Sequence, residues 1–308
     1  MSKSTITRLK SISDLHKFNQ LKSPEHPLIS LIDYSKIRPN AVNNEIRWVQ
    51  EFFTISLKRN VVGKFRYGQQ SYDFDEGVMT FFAPEQLITV QLIEEDLTTN
   101  QPSGHILAIH PDFFYGTPLA NKMKKYPFFF YSVREALFLS EKEEQIVKEL
   151  FGNIESEYQA NLDEFSQDII ISQVDLLLNY AERFYKRQFL TRKVTNHQIL
   201  DTLETVMEAY FTNQIAEQQG VPKVNYLADQ VHLSSDYLSS MLKSLTGQTT
   251  QQYIHNTLIE KAKVKLSTTA LSVSEIAYQL GFEHPQSFNK LFKTKTKQTP
   301  LQFRMSYN

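Results

Sequence analysis

Between Gly281 and Pro300 the chain reads GFEHPQSFNKLFKTKTKQTP. Pro285, Gln286, Ser287, Asn289, Lys290 and Lys293 crowd into this stretch, and several are types that read nucleic acid. An amide can hold adenine through two hydrogen bonds, and an ammonium can donate to guanine N7/O6 or to phosphate. Phe288, Leu291 and Phe292 recur at the spacing of a buried helical face. A short helix with an apolar back and a polar front is therefore expected. Five cations follow Glu283 (Lys290, Lys293, Lys295, Lys297 and Arg304), with no acid among them. This division suits a helix lying in the groove of a polyanion, with the basic tail near phosphates. A helical bundle with merely solvated lysines is the alternative.

The same pattern occurs once more upstream. LADQVHLSSDYLSSMLKSLTGQT begins at Leu227 and IAYQLGFEHPQSFNKLFKTKTKQT at Ile276. Ala228 matches Ala277, Leu233 matches Phe282, Leu238 matches Phe288, Leu242 matches Phe292, Lys243 matches Lys293 and Thr249 matches Thr299. Each copy is a short apolar helix, a tight turn and a second helix with an apolar back, the helix-turn-helix pattern whose second helix enters a major groove. From Gln252 to Thr268, Ile254, Leu258, Ile259, Ala262 and Leu266 mark a continuous helix joining the copies. At 1.5 Å per residue it spans roughly 25 Å. With the packing radius of each unit, the two recognition helices fall on the order of one DNA turn, ~34 Å, apart.

The rest of the chain must position this pair. Its 308 residues allow about two domains. The formal charge of −1 divides unevenly: from Val221 onward ten Lys and Arg face five acids, leaving the first 220 residues acidic. Cysteine is absent, which rules out disulfides and thiolate metal sites. The first residues lack the apolar core of a signal peptide, and no apolar run is long enough to span a bilayer, so no membrane partner is expected and the cytoplasm is the expected compartment. Short aromatic and β-branched runs between about 45 and 115 (FFTISLK, KFRYG, YDFDEGVMTFF, LITVQLI, HILAIH) predict strands of a small barrel or sandwich. At Ser140 the period changes. Ser140 with Glu143 forms a capping-box signature; a helix is predicted from there with its apolar face running to Tyr158, and a second from Ser166 to Phe189. The polar run TRKVTN (191–196) marks the domain boundary, and Gly220-Val-Pro222 ends the next helix.

The C-terminal residues resemble the AraC family of bacterial transcription regulators. The resemblance rests on Ile276-Ala277, Leu280-Gly281-Phe282, Phe292-Lys293, Thr299-Pro300 and Phe303-Arg304, and covers about 197–308. RYG, YDFDEG, FFAPEQ, IHPDFF and RFYKRQFLTR look, more loosely, like the cupin-like sensor half of many such regulators. The fold this implies is α+β. Residues 1–190 would hold a cupin-like β-barrel (about 45–130) followed by helices (about 140–189), and 191–308 an all-α domain of two helix-turn-helix units joined by a linker helix. The resemblance places base-facing positions at Asp236, Ser239 and Ser240 in the first unit and at Pro285, Gln286, Ser287 and Lys290 in the second. Ser235 and Asn289 adjoin them, and Lys243 and Lys293 fall where phosphate contacts are expected. Asp236 either accepts from cytosine, caps its helix or pairs internally. Three residues depart from the family pattern: Thr257 and Leu242 replace a common Arg and Phe, and Lys297 stands where Gly is usual. The first recognition helix, SDYLSSMLKS, carries few long polar side chains, so the second unit is expected to supply more of the discrimination.

The resemblance implies double-stranded DNA as a partner, RNA polymerase as a further one, and a homodimer formed by the broad apolar helices after the barrel. In the barrel, Phe65, Tyr67, Phe74, Phe81 and Phe82 either line a pocket for a small-molecule effector or simply fill the interior. The latter would leave a ligand-free module for dimerisation or partner docking. A metal-dependent cupin enzyme is the rival class, but the barrel region offers only His105 and His110, at an odd spacing that sends them to opposite strand faces. With no phosphate-loop or dinucleotide motif either, neither catalysis nor a cofactor nor a metal is expected.

Overall fold

The computed structural model describes residues 6–37, 45–59, 77–91, 103–131, 135–160, 163 and 165–306. They divide into two compact units, Met1–Gln188 and Phe189–Asn308.

The first unit begins with β1 (Thr7–Leu9), α1 (Ile12–Phe18) and β2 (Ile29–Asp33). Strands β3 (Glu45–Gln50), β4 (Phe53–Arg59), β5 (Val78–Phe82), β6 (Leu87–Gln91) and β7 (Ser103–Ile109) follow. The unit continues through α2 (Pro118–Met123), β8 (Leu137–Phe138), α3 (Glu141–Gln159) and α4 (Ser166–Thr191), whose last turn enters the second unit. The strands form two sheets, β1-β3-β6 and β2-β7-β4-β5-β8. The fold is thus mixed α+β as expected, but the described strands do not close into the barrel drawn over about 45–130. They also recruit β1 and β2 from before residue 45. β1 pairs parallel with β3, and β2 antiparallel with β7, about seventy residues away. Three- and five-residue strands show too little alternation to announce such distant partners.

Strand β4 is buried on both faces, as befits a strand covered on both sides. Phe53, Ile55 and Leu57 share one face with Met79, Phe81, Leu107 and Ile109. On that side Phe81 meets Phe128 at 4.6 Å and Phe129 at 5.7 Å between centroids, and Phe128 stacks on Tyr185 of α4 at 5.6 Å. The opposite face carries Thr54, Ser56 and Thr80, also buried, with the Ser56 and Thr80 hydroxyls 2.5 Å apart. The Ser140–Glu143 capping box starts α3 as predicted. One turn in, Glu144 is 1% exposed, yet it accepts from Arg59 Nε and Nη2, the Lys148 ammonium and the Gly77 N–H. Burial alone would raise its pKa, but these donors outweigh that and hold it at about 2.

The second unit is all helix: α5 (Lys193–Thr212), α6 (Ile215–Gln219), α7 (Val224–Gln230), α8 (Ser235–Thr246), α9 (Thr250–Thr268), α10 (Val273–Gln279), α11 (Pro285–Thr296) and α12 (Pro300–Met305). The polar run at 191–196 is not a loop, since Arg192 alone separates α4 from α5. Nor does Gly220-Val-Pro222 end α5. That helix stops at Thr212, and a left-handed Gln214 (φ 56°) starts the separate α6. Among the described residues no helix is long and apolar enough to cross a membrane.

Candidate nucleic-acid interface

Two superposable frames organise α7–α12. In the first, His232 takes φ 57° and the Leu233 N–H reaches the Ala228 carbonyl at 2.9 Å. In the second, Gly281 takes φ 87° and the Phe282 N–H reaches the Ala277 carbonyl, also at 2.9 Å. The left-handed residue reverses the chain, and the following N–H closes the turn onto the preceding helix. α8 and α11 then run for twelve residues each and stop at a second left-handed residue, Gly247 (φ 75°) and Lys297 (φ 65°). Two residues later Thr249 and Thr299 open capping boxes with Gln252 and Gln302. The repeat seen in the sequence is therefore a repeat of hydrogen bonds.

Lys297 confirms that the position where glycine was expected demands a left-handed conformation. A non-glycine residue costs about 1 kcal/mol there. Lys297→Gly should thus stabilise the unit by about 1 kcal/mol in urea denaturation. An unchanged or lower midpoint would count against this strain.

The backs of α8 and α11 are buried through Tyr237, Leu238, Met241 and Leu242 and through Phe288 and Phe292. Phe288 continues the ring contacts to Phe282 and Phe292, and Phe292 to Phe303. α9 buries Ile254, Leu258, Ile259, Ala262 and Leu266, the face read from its periodicity.

The fronts differ. On α11, Gln286, Ser287, Asn289, Lys290 and Lys293 are all exposed, with Pro285 half-buried at the first turn. The side chains of those five make no hydrogen bond or ion pair with any described residue. On α8 two of the expected readers are occupied. The Ser235 hydroxyl donates to Asn225 Oδ1 at 2.9 Å, and the Ser239 hydroxyl lies 3.0 Å from that of buried Thr250. Asp236 and Lys243 are exposed and Ser240 half-buried. Asp236 does not cap α8, because Ser234 accepts from the Tyr237 N–H. Though the residue is exposed, partial desolvation of its carboxyl by neighbouring atoms raises the Asp236 pKa.

The basic tail also divides. Arg304 donates to the Leu266 and Leu271 carbonyls at 3.2 and 2.6 Å, tying α12 to the end of α9. Lys295 donates to Asn256 Oδ1, and Lys297 to the Thr294 carbonyl. Of the five cations after Glu283, Lys290 and Lys293 have no bonded partner among the described residues. The sequence offered no sign of the inward roles of Ser235, Ser239 and Arg304, since each depends on a partner ten or more residues away.

In the first unit, Phe65, Tyr67 and Phe74 lie outside the described residues. Phe82 is half-buried, while Phe81 is packed among Phe128, Phe129 and Tyr185. The space beside these two is about 10 Å³, room for no more than a water. No group of three or more His, Asp or Glu suited to a metal occurs among the described residues.

The Helix-turn-helix domain family matches residues 227–306. An uncharacterised HTH-type transcriptional regulator of Staphylococcus aureus (strain MSSA476) is 27% identical over 138 residues, covering 45% of this chain and 17% of that protein. The chain therefore spans about a sixth of the length of such curated relatives. Among solved structures, the C-terminal domain of the two-component response regulator yesN from Fusobacterium nucleatum is 35% identical, covering 34% of this chain and 95% of that one, with a TM-score of 0.30. A regulator with an AraC-type DNA-binding domain from Chromobacterium violaceum is 19% identical over 37% of this chain and 96% of its own, with a TM-score of 0.32. With its paired frames, outward polar faces and family match, the C-terminal unit of this chain carries a helix-turn-helix domain over residues 227–306.

Proposed function

We propose that the protein is a cytoplasmic, sequence-specific DNA-binding transcription regulator, not an enzyme, that reads two successive major grooves with α8 and α11. The observation that carries this is the unbonded row Gln286, Ser287, Asn289, Lys290 and Lys293 on the outer face of α11, repeated in sparser form on α8 by Asp236, Ser240 and Lys243. Gln286 pairs with adenine and Lys290 with guanine, while Lys243 and Lys293 hold phosphates. RNA polymerase is a further partner. The first unit senses a small effector and forms the homodimer. Phe165, Ile169 and Leu176 support the latter, because they leave apolar side chains exposed along one side of α4. The tight packing of Phe81 favours a second reading, in which the sheets only dimerise or dock a partner.

Selection of a random DNA library on the full-length chain tests the proposal. Two short blocks about one helical turn apart are expected, and no enriched motif would overturn it. Gln286→Ala and Lys290→Ala should each cost about 1–3 kcal/mol at one preferred base pair and relax specificity there. Lys293→Ala should weaken binding to every sequence and flatten the salt slope by about one ion. Competition against scrambled DNA separates the two classes. A Lys290 variant that keeps its preference in full is not missing a base reader.

A further inference from the structure

Among the described residues of the first unit there is a cleft that neither Phe81 nor Phe82 lines. Its volume is about 220 Å³, and it lies between the segment before β2, the turn at 111–114, the end of α3 and the start of α4. A cavity of about 150 Å³ already accommodates benzene, so one ring with a short side chain fits. The walls supply the ring's surroundings. His26 and Phe113 meet edge to face at 5.8 Å, Tyr158 closes one side, and Ile29 and Ile170 are buried beneath.

The polar groups are few and unevenly used. Asp163 Oδ1 accepts from the Phe165 and Ser166 N–H groups and from the Ser166 hydroxyl, which fixes the carboxylate at the start of α4. Its Oδ2 has no partner among the described residues. His26 Nδ1 accepts from the Leu28 N–H at 3.1 Å, so the ring proton sits on Nε2 and remains available. Burial lowers the His26 pKa, which keeps the ring uncharged at neutral pH. Among the described residues Asp163 is therefore the one formally charged residue lining the cleft, and none of those lining it is a cation. Anions are disfavoured, whereas an ammonium beside Asp163 Oδ2 gains a charge-assisted hydrogen bond and aromatic faces.

We infer that this cleft binds a small aryl-alkyl amine, its ring among His26, Phe113 and Tyr158 and its ammonium on Asp163 Oδ2. As the effector site, it rests on the sensor reading of the first unit and places the ligand outside the sheets, away from Phe81 and Phe82.

The test uses three near-isosteres on the full-length chain: 2-phenylethylamine, 2-phenylethanol and 3-phenylpropionate. Thermal shift and titration calorimetry are expected to show the amine binding, the alcohol binding more weakly and the propionate not binding. Asp163→Asn keeps a side-chain oxygen to cap α4, so its melting temperature without ligand should match wild type. The variant should lose on the order of tenfold in amine affinity and none for the alcohol. No response to the amine, a propionate that binds as well as the amine, or an Asp163→Asn variant that binds the amine like wild type would each overturn the site. DNA affinity with and without saturating amine separates the site from the sensor reading. Amine binding with unchanged DNA affinity upholds the cleft and removes its regulatory role. A different compound that alters DNA binding while the amine is ignored keeps the sensor and overturns the cleft.

Discussion

Gly281→Ala lowers the stability of the C-terminal unit by about 3 kcal/mol or more. Two costs add. The residue sits at φ 87°, where a Cβ is strained in any surroundings. That Cβ would also lie 2.5 Å from the Gly220 carbonyl carbon, 2.6 Å from its oxygen and 2.7 Å from the Val221 nitrogen. All three are backbone atoms, so no side-chain rotation relieves the contact. The two glycines cross closely and pin the turn of the second reading unit to the segment before the first. Gly247→Ala is the control: it shares a left-handed φ of 75° but has nothing within 4 Å of the built Cβ. Its loss should stay near 1 kcal/mol. Urea denaturation followed by far-UV circular dichroism compares the two. Equal losses would show that the crossing adds nothing to the conformational cost.

Glu144→Gln comes second, at about 2–3 kcal/mol in the first unit. The carboxylate is buried, but Arg59 and Lys148 are 39% and 45% exposed and can turn to water once it is neutral. The loss should therefore fall below the 3–5 kcal/mol typical of an orphaned buried charge. The effect also depends on pH. The folded-state pKa of about 2 lies below the ordinary 4.5, so the carboxylate's contribution is complete above about pH 4.5 and fades as pH falls toward 2. The gap between wild type and Glu144→Gln should shrink across that window. Trp48, half-buried beside Phe18 at 5.9 Å, is the chain's one tryptophan and reports the transition of this unit. A gap that stays constant down to about pH 3 would mean that the charge contributes nothing.

The C-terminal unit was legible because its determinants are local. Thr249 with Gln252 and the apolar spacing of α9 act within a few residues of one another, and so do the glycine at 247 and the unexpected lysine at 297. The first unit was less so. Ser140 and Glu143 announced α3, but β1 and β2 owe their existence to partners far along the chain. Glu144 looked like any first-turn acid, since its worth depends on Arg59, eighty-five residues away. Along α11 the division into an apolar back and a polar front was readable from periodicity, whereas the choice of base-facing positions rested on the family resemblance. On α8, Ser235 and Ser239 have the same spacing but were claimed by Asn225 and Thr250, and no helical wheel shows that.

The repeated frame has a consequence for how such a protein can change. Its turns, stops and caps are made by backbone groups and by Thr249, Gln252, Thr299 and Gln302, none of which lies on the outer row of α11. Substitutions at 286, 287, 289, 290 and 293 can therefore accumulate with little loss of stability, and under the proposed reading the target of the second repeat can drift. In the first helix-turn-helix repeat the Ser239–Thr250 and Ser235–Asn225 pairs act as rivets as well as surface. Retargeting there loosens the scaffold, so novelty in this chain is channelled through one helix while its twin stays conservative.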